Sequence, residues 1–327
     1  MSENTLFLYK LSTFSLFSCI FVLNYQTMIS ILVPIYNTDV THLVQDVITQ
    51  CIGESIPFEI ILIDDNSAPE WKQKNRALTQ LQNVVYSEKT EHIGRAKIRN
   101  DLADAAKFPY LLFIDNDVKI EKQDFLHTYL LKCQPNAVVY GGMMYEPENV
   151  DNANNLRQKY GRKKECVSAS ERQKNPYKSF NTINVLIAKN VFESIRFDES
   201  ISEYGHEDTL FGFRLQQKNI PIKHINNPVV HLNSVSNEEF VRQTKQSVEN
   251  LYKIYVSEQK NPALCASILL LKCLSFAERF HLVTLGSFAY TVAHSCFSKI
   301  IVKFSSFFFL NLLKICYICN IAHNYDK

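Results

Sequence analysis

From residue 30 to residue 144, short apolar runs alternate with longer segments in which apolar residues recur at helical spacing. Strands that are apolar throughout and separated by helices are typical of parallel βαβ units covered on both faces. The pattern therefore predicts an α/β domain with a mostly parallel sheet. The predicted strands cover residues 30–35, 59–63, 84–86, 110–114 and 137–141, and the predicted helices cover residues 40–52, 70–81, 94–106 and 122–132.

Polar residues directly follow three of these strands. Ligands of open parallel sheets gather beyond the carboxyl ends of the strands, so these residues are expected to share one crevice. This coincidence is the strongest structural indication of a binding site in the sequence. The residues are Tyr36 and Asn37 after the first strand, Asp64, Asp65 and Asn66 after the second, and Asp115, Asn116 and Asp117 after the fourth.

The second half of the chain is less regular. Residues 146–180 are polar and basic, which predicts a long loop, and long loops in compact domains tend to be functional or mobile. Regular structure is expected to resume over residues 182–188. A helix is then expected over residues 206–218 and a strand over residues 221–225.

The composition changes again in the tail, residues 263–327, which is both cationic and strongly apolar. Between residues 264 and 321, five cations stand against Glu278 alone, a net charge of +4. This favours a helix lying in a membrane interface, with a spanning helix and a helical subdomain packed on the core as alternatives. A chain ending near Asn261 is then expected to be more soluble. On a helical wheel, one side of the tail collects Lys299, Lys303 and Lys314.

The chain is thus expected to have three parts, namely a leader of residues 1–27, the α/β domain of residues 28–262 and the tail. The leader contains an apolar stretch but no small-residue cleavage site follows it. Two interpretations stay open for it. Either translation starts at Met28, directly before the first strand, or the leader is a weak signal-anchor.

Composition excludes several classes of protein. With 46% hydrophobic residues and a net charge of only +2, the 327-residue chain is suited to a large core and not to gripping nucleic acid. Neither a P-loop nor a dinucleotide-binding glycine motif is present. The nine cysteines are odd in number and mostly lie in apolar runs, which favours free thiols in a reducing compartment. A metal or redox role for Cys316 and Cys319 is the alternative, although no second pair accompanies them.

The residues Asp115 and Asp117 are the main candidates for metal chemistry. Two carboxylates spaced i, i+2 at a strand end can turn into one crevice and share a hard divalent cation that also binds phosphate oxygens. Turns use the same residues, so the triplet alone is a weak signal. His231 could be a third ligand, although a lone histidine is more often structural.

Two further segments carry candidate chemistry. A carboxylate at Asp64 or Asp65 can accept a hydrogen bond from a base or a ribose hydroxyl, or it can cap the following helix. Arg99 lies at a cationic helix start and could meet a diphosphate or these carboxylates. Glu207 and Asp208 begin another helix, where they either complement its dipole or supply a general base.

Taken in order, these motifs resemble the family 2 glycosyltransferases of GT-A fold. The resemblance spans about residues 29–232. It implies inverting transfer of a sugar from a nucleotide diphospho-sugar, a UDP-sugar foremost, to an acceptor hydroxyl with the aid of Mg²⁺ or Mn²⁺. The motifs are Pro34-Ile35-Tyr36-Asn37, Ile63-Asp64-Asp65-Asn66-Ser67, Gly94 to Asn100, Ile114-Asp115-Asn116-Asp117, Phe197-Asp198-Glu199 and Gly205-His206-Glu207-Asp208.

The resemblance also implies roles for single residues. Asp208 corresponds to the catalytic base, helped to stay ionised by the helix start, and Glu207 is expected to orient the acceptor. Asp117 is expected to be the more direct metal ligand, and His231 corresponds to a position that only some members use for metal. The nucleotide-sugar site is expected to comprise Pro34, Tyr36, Asp64, Asp65, Arg99 and Asp115.

Competing functions stay open at this point. A sugar nucleotidyltransferase shares the architecture but needs a glycine-rich loop after the first strand, which is absent here. A catalytically inactive, membrane-associated scaffold is the other alternative, and the intact carboxylates argue against it. The acceptor is expected to be a glycan or a lipid-linked glycan of the cell envelope, and the protein is expected in the cytoplasm at an anionic membrane surface. The sequence does not disclose the sugar, the nucleotide or the linkage.

Overall fold

The computed structural model describes residues 28–147, 155–201, 204–232 and 235–325, so the predicted leader lies outside the described residues. The strands are β1 (Ile29–Ile35), β2 (Phe58–Asp64), β3 (Val84–Glu88), β4 (Tyr110–Ile114), β5 (Val118–Lys119), β6 (Val138–Tyr140), β7 (Met143–Tyr145), β8 (Asn184–Ala188), β9 (Lys223–His224) and β10 (Val229–His231). The first helices are α1 (Thr41–Glu54), α2 (Pro69–Arg76), α3 (Arg95–Ala105), α4 (Phe125–Leu130), α5 (Leu156–Lys164), α6 (Ala169–Gln173), α7 (Lys189–Ile195) and α8 (Glu207–Gln217). The remaining helices are α9 (Asn237–Ser257), α10 (Pro262–Ser267), α11 (Leu269–Arg279), α12 (Val283–Phe304) and α13 (Phe307–Tyr325).

A central seven-stranded sheet has the order β3-β2-β1-β4-β8-β6-β9. The strands β1 to β4 are parallel, as the apolar runs predict, while β8 runs antiparallel to both of its neighbours. β1, β4 and β8 are almost wholly buried because helices cover the sheet on both faces. A small sheet of order β5-β10-β7 places Asp117, which precedes β5, near His231 at the end of β10.

The segment predicted as a long loop contains two helices, α5 and α6. Each is started by a side-chain cap, since Asn155 accepts a hydrogen bond from the Gln158 N–H at 2.8 Å and Ser168 accepts one from the Glu171 N–H at 3.4 Å. The prediction of a loop over residues 146–180 was therefore wrong in part. The basic composition concealed the caps, which are the signals that were available in the sequence.

The tail packs on the rest of the molecule through α9. Leu251 and Tyr255 of α9 form a buried cluster with Leu271 and Leu274 of α11 and with Ile318 of α13. The helices α12 and α13 lie against each other and against α9. This is the subdomain alternative in structural terms, because the tail shares a second apolar cluster with α8 and α9. Within the described segments, no helix has the length and apolar character needed to cross a membrane.

Close helix packing also accounts for the cysteines of the tail. Gly286 of α12 approaches α13 so closely that an added Cβ would lie 2.7 Å from the Cβ of Cys319. Cys316 and Cys319 are both buried there as free thiols. The pair therefore contributes to packing as small apolar residues do.

Candidate active site

A cavity of about 620 Å³ opens at the carboxyl ends of β1, β2 and β4, where the strand-end rule predicts a ligand site. Its lining includes residues from β1, from α3 and from α9, so three distant parts of the chain form its walls. Five of the six residues expected to bind a nucleotide sugar line it, namely Pro34, Tyr36, Asp65, Arg99 and Asp115.

Asp64, the sixth residue, does not line this cavity. Its side chain is fully buried, with Oδ1 accepting a hydrogen bond from the Ser67 N–H at 2.7 Å and Oδ2 accepting one from the Tyr86 hydroxyl at 3.3 Å. Successive strand residues point to opposite faces, which turns Asp64 inward and Asp65 toward the crevice. Asp64 therefore holds the turn after β2 and joins it to β3.

Asp65 fixes the segment that precedes α3. Its Oδ1 accepts a hydrogen bond from the Ile93 N–H at 2.7 Å, and its Oδ2 accepts one from the Gly94 N–H at 3.1 Å. Gly94 has φ +83°, a positive value that glycine adopts without steric cost. The ring of His92 then lies 4.7 Å from the ring of Tyr36, centroid to centroid, so two aromatic groups stand at the cavity wall.

Arg99 joins the end of β4 to the start of α8. It is 2% exposed, and its Nη2 lies 2.7 Å from Asp115 Oδ1 while its Nη1 lies 3.3 Å from Glu207 Oε1. Burial acts to raise the pKa of Asp115, but the charges of Arg99 and Arg95 hold it below its ordinary value. The strand-end motif and the Glu-Asp pair are thus tied together by one buried guanidinium.

Asp117 and His231 form the pair best placed to hold a metal ion. Asp117 Oδ2 lies 3.4 Å from His231 Nε2, and burial lowers the pKa of His231, which favours the neutral imidazole that binds metals. The buried Nδ1 of His231 makes no hydrogen bond within the described residues. Asp115 is bound to Arg99 through its Oδ1, and no cluster of three His, Cys, Asp or Glu side chains suited to a metal occurs in the part of the chain that the structure describes.

The donor atoms of Asp117 and His231 are of the kinds that bind divalent cations. One carboxylate oxygen and one imidazole nitrogen face each other, and the remaining coordination positions are open to phosphate oxygens and water. Mg²⁺ prefers an all-oxygen shell, whereas Mn²⁺ also accepts imidazole, so this donor set suits Mn²⁺ better.

A second cavity of about 320 Å³ adjoins the first and contains the Glu-Asp pair. The two cavities share Arg95, Asp115, Asp117 and Tyr204 in their linings. The guanidinium of Arg95 lies over the Tyr204 ring, 4.6 Å from its centroid, and 3.9 Å from Glu207 Oε1. These four residues therefore stand at the junction through which a donor and an acceptor would meet.

Asp208 lies in the second cavity, and each of its two carboxylate oxygens accepts a hydrogen bond. Oδ1 accepts a hydrogen bond from the Thr209 N–H at 2.7 Å, and Oδ2 accepts one from the Asn181 side-chain amide at 2.9 Å. Burial, and then the neighbouring charge of Glu207, raise the pKa of Asp208 to about 7. The expectation that the helix start helps keep Asp208 ionised is thus outweighed by burial, and the result is a carboxyl whose pKa suits a general base near neutral pH.

Glu207 differs from its neighbour because it is engaged by both Arg99 and Arg95 and is only 4% exposed. The two guanidinium groups hold this carboxylate in a fixed position. The sequence alone could not separate these two adjacent acids. Their surroundings do so, because Glu207 contacts two guanidinium groups whereas Asp208 accepts hydrogen bonds from Asn181 and the Thr209 N–H.

Sequence reasoning missed several residues of the second cavity. Arg95 belongs to the cationic segment at the start of α3, but only Arg99 of that segment was predicted to bind a ligand. Lys314 was expected on the same side of the tail as Lys299 and Lys303, yet it lines this cavity while the other two are exposed. No sequence signal links α13 to α8, because their proximity depends on how the whole tail folds back.

Comparison with known proteins is consistent with this geometry. The model of the family described as "Glycosyl transferase family 2" matches residues 30–194, half of the chain. A poly(ribitol-phosphate) beta-glucosyltransferase of Bacillus spizizenii is 32% identical over 106 residues, which cover 31% of this chain and 16% of that protein. The match therefore spans about a sixth of the length of that relative.

Two solved structures resemble the whole fold or a part of it. A mannosyltransferase from Pyrobaculum calidifontis, in complex with GDP-Man and Mn²⁺, has a TM-score of 0.54 at 14% identity, covering 91% of this chain and 87% of that one. TarS of S. aureus has a TM-score of 0.47 at 20% identity, covering 67% of this chain and 38% of that one. The first of these similarities shows a shared fold.

Proposed function

The chain belongs to glycosyl transferase family 2, and from that premise we propose that it transfers a sugar, with inversion, from a nucleotide diphospho-sugar to a hydroxyl of a glycan or lipid-linked acceptor. The observation that carries the proposal is the junction of two cavities, one beside the strand-end carboxylates and one containing Asp208. A donor and an acceptor seated in these cavities would meet near Asp117, a ligand for the proposed metal, and Asp208, the proposed proton acceptor.

In this proposal the larger cavity binds the donor. The aromatic pair of Tyr36 and His92 offers a face for the nucleoside base, and a carboxylate at Asp65 can turn toward the base or ribose once the ligand competes for it. Arg95 and the Asp117–His231 pair stand where the diphosphate would lie. Holding both substrates in one orientation supplies a large part of the acceleration in such a reaction.

Asp208 acts as the general base. Its carboxylate takes the proton of the acceptor hydroxyl as that oxygen attacks the anomeric carbon from the face opposite the departing diphosphate, which inverts the configuration. A pKa of about 7 leaves a substantial fraction ionised at neutral pH and gives the carboxylate enough basicity to accept a proton. Asn181 and the Thr209 N–H keep its oxygens in place.

The metal proposed for this site is Mn²⁺, held by Asp117 and His231. A divalent cation there would offset the charge that grows on the leaving diphosphate. Asp115, by contrast, acts through Arg99, because its Oδ1 is engaged by that guanidinium at 2.7 Å.

We also propose that the tail attaches the protein to the cytoplasmic face of an anionic membrane. The outer side of α11 to α13 exposes a groove of about 470 Å³ with apolar walls, and it carries exposed apolar residues of which Leu285 is 64% and Phe288 is 66% exposed. The exposed Lys272 lines this groove, and Lys299 and Lys303 are further exposed lysines of the tail. Apolar area together with positive charge is what an interfacial helix needs.

Vesicle binding tests the membrane proposal. Full-length protein should pellet with anionic phosphatidylglycerol vesicles at low salt and much less with neutral phosphatidylcholine vesicles. The double variant Leu285→Ser, Phe288→Ser should lose this binding. Ile52→Ser, which removes a similarly exposed apolar side chain from α1, should keep it. Equal pelleting of both variants would contradict the proposal.

A thermal-shift panel tests the proposed activity. Nucleotide sugars with UDP, GDP and dTDP leaving groups are each added with and without Mn²⁺, since a ligand that binds only the folded state raises the melting temperature. One donor class, a UDP-sugar in our expectation, should raise the melting temperature more with Mn²⁺ than without it. A panel in which no nucleotide sugar shifts the transition would refute the function.

A further inference from the structure

The wall of the second cavity that lies away from the donor site is formed by the tail. Ile268, Leu270 and Lys314 contribute to it, together with Tyr160 of α5 and Phe240 of α9. The tail is therefore part of the cavity in which an acceptor would lie. The character of this wall bears on what kind of acceptor the cavity can bind.

Lys314 is the exceptional side chain of this wall. Its Nζ lies over the Tyr160 ring, 5.1 Å from the ring centroid, and within the described residues it forms no ion pair and no hydrogen bond. The other two cations of the cavity are both compensated, since Arg157 Nη1 lies 3.0 Å from Glu165 Oε2 and Arg95 lies 3.9 Å from Glu207. Lys314 thus faces the cavity with no carboxylate of the described residues in ion-pair contact, while Glu165 attracts it from a longer distance.

Keeping such a lysine is costly for the protein. Burial lowers the pKa of Lys314 to about 8, so the ammonium still predominates at neutral pH in surroundings that disfavour it. An apolar side chain of the same length would avoid that cost. A lysine that stays charged at this cost and faces a cavity indicates a site for an anionic ligand.

His206 supports the same interpretation from the other side. It lies directly before α8 with φ +71°, a strained conformation for a residue other than glycine, and strain of this kind is common at ligand sites. Burial lowers the pKa of His206 to about 4, and the charge of Lys314 acts in the same direction. The ring is therefore neutral and can donate one hydrogen bond while its Nδ1 lies 3.1 Å from Thr209 Oγ1.

The carboxylates of the cavity do not neutralise the positive charge of Lys314. Glu165 is engaged by Arg157 and by the Tyr145 hydroxyl, and Glu207 is engaged by Arg99 and Arg95. The remaining carboxylates are Asp208, which serves the attacking hydroxyl, and the strand-end pair on the donor side. An anion at the wall of the tail would consequently meet Lys314 first.

We propose that Lys314, assisted by His206, binds an anionic group of the acceptor, a phosphate or a carboxylate, so that the preferred acceptor is a charged glycan. This proposal rests on the proposed function, because it takes the cavity of Asp208 as the acceptor site. It makes the tail a specificity element in addition to its proposed contact with the membrane. Binding of the anion orients the acceptor so that a hydroxyl of the same molecule faces Asp208.

Binding of small sugars tests the proposal without requiring transfer. Glucose, glucose 6-phosphate and glucuronate are titrated by ligand-observed NMR into the full-length protein saturated with UDP and Mn²⁺, which keeps anions out of the donor cavity. We expect the wild type to bind one or both anionic sugars at least about tenfold more tightly than glucose, and the stronger of the two identifies phosphate or carboxylate. Binding of UDP, recorded in the same samples, reports separately on the proposed function.

Variants of Lys314 complete the test. Lys314→Met should remove the preference for the anionic sugar without lowering the melting temperature, and Lys314→Arg should restore part of it. Lys299→Met, which removes an equal charge from the exposed side of α12, should leave the preference unchanged. Should Lys314→Met fail to fold, Lys314→Gln provides the same comparison.

Three outcomes would contradict the proposal. Equal binding of neutral and anionic sugars, no detectable binding of either anionic sugar, or a preference that survives in Lys314→Met would overturn the proposal. If UDP fails to bind while the preference still depends on Lys314, the anion site stands and the assigned donor is wrong.

Discussion

The donor side and the acceptor side of this active site are built in different ways. The donor cavity is formed mainly by short segments at the ends of β1, β2 and β4 and at the start of α3, to which α9 adds three residues. The acceptor cavity combines α5, α8, α9 and α13, which are far apart in the chain. The first arrangement is a property of parallel sheets, while the second depends on how the tail folds back.

This difference has an energetic counterpart. On the donor side, Arg99 sits nearly inaccessible between two carboxylates, so charge is fully compensated. On the acceptor side, Asp208 and Lys314 are held in surroundings that disfavour their charged forms. Uncompensated groups are expected where a substrate supplies the missing partner. The predictions below, from the largest effect to the smallest, test whether the two sides really differ in this respect.

Ending the chain after Asn261 should have the largest effect. The structure reverses the expectation of a more soluble product, because the truncation exposes the apolar side chains of Leu251 and Tyr255 that pack against α11 and α13. We expect aggregation or loss of a cooperative unfolding transition, measured by size-exclusion chromatography and thermal denaturation. A truncated chain that is monomeric and melts sharply would show that the tail is an independent appendage.

Replacing Asp117 by Ala should abolish transfer. The variant loses the carboxylate that faces His231, and removing metal-based charge stabilisation costs several kcal/mol, about 10³-fold or more in rate. Calorimetric titration with nucleotide should also lose its dependence on Mn²⁺. Asp46→Ala, at an exposed position on α1, is the matched control and should behave as wild type. Unchanged metal dependence in Asp117→Ala would place the metal elsewhere.

Replacing Arg99 by Met should destabilise the fold by about 3–5 kcal/mol, since Asp115 loses the guanidinium that binds it and the buried Glu207 keeps only Arg95, at 3.9 Å. The surface pair of Arg76 and Glu88 has a similarly short contact, 2.7 Å, but Arg76→Met should cost much less stability because solvent screens that pair. Denaturant unfolding measures both. Equal losses would show that the donor side is not organised around Arg99.

The pH dependence of kcat gives a smaller, graded effect. A base with a pKa raised to about 7 is protonated in acid, so kcat should fall by about tenfold for each pH unit below 7 and level off above it. The value of kcat falls toward acid pH because the reaction requires the ionised carboxylate of Asp208. Stopped-flow or coupled assays at saturating donor and acceptor measure the profile. A flat profile between pH 5 and pH 7 would require another base.

The comparison also explains how much the sequence could predict. The sheet, α3 and the carboxylates Asp115 and Asp117 follow from hydrophobic periodicity and from the rule on strand ends, both of which are local. Asp64 and Asp65 show the limit of that approach, because only the pleat decides which of two adjacent acids faces the cavity. The helices α5 and α6 were missed since a basic composition outweighed two side-chain caps.

Long-range features could not be predicted in the same way. The helical wheel placed Lys314 on one side with Lys299 and Lys303, whereas the chain turns at Ser305 and Ser306 so that α13 packs against α12. The pKa of Asp208 likewise depends on burial by segments distant in sequence. Family membership supplied the roles of the motifs, but the difference between Glu207 and Asp208 required the contacts around them.

The central claim is that Asp208 is the general base and that Glu207 only positions. Steady-state kinetics of Asp208→Asn and Glu207→Gln at saturating donor test it most directly. For Asp208→Asn we predict a fall in kcat of roughly 10²–10⁴-fold with donor affinity nearly unchanged, since the amide keeps the hydrogen-bonding shape but cannot take a proton. Glu207→Gln should act mainly through the acceptor KM. Near-normal turnover in Asp208→Asn, together with loss of turnover in Glu207→Gln, would contradict the account and exchange the two roles.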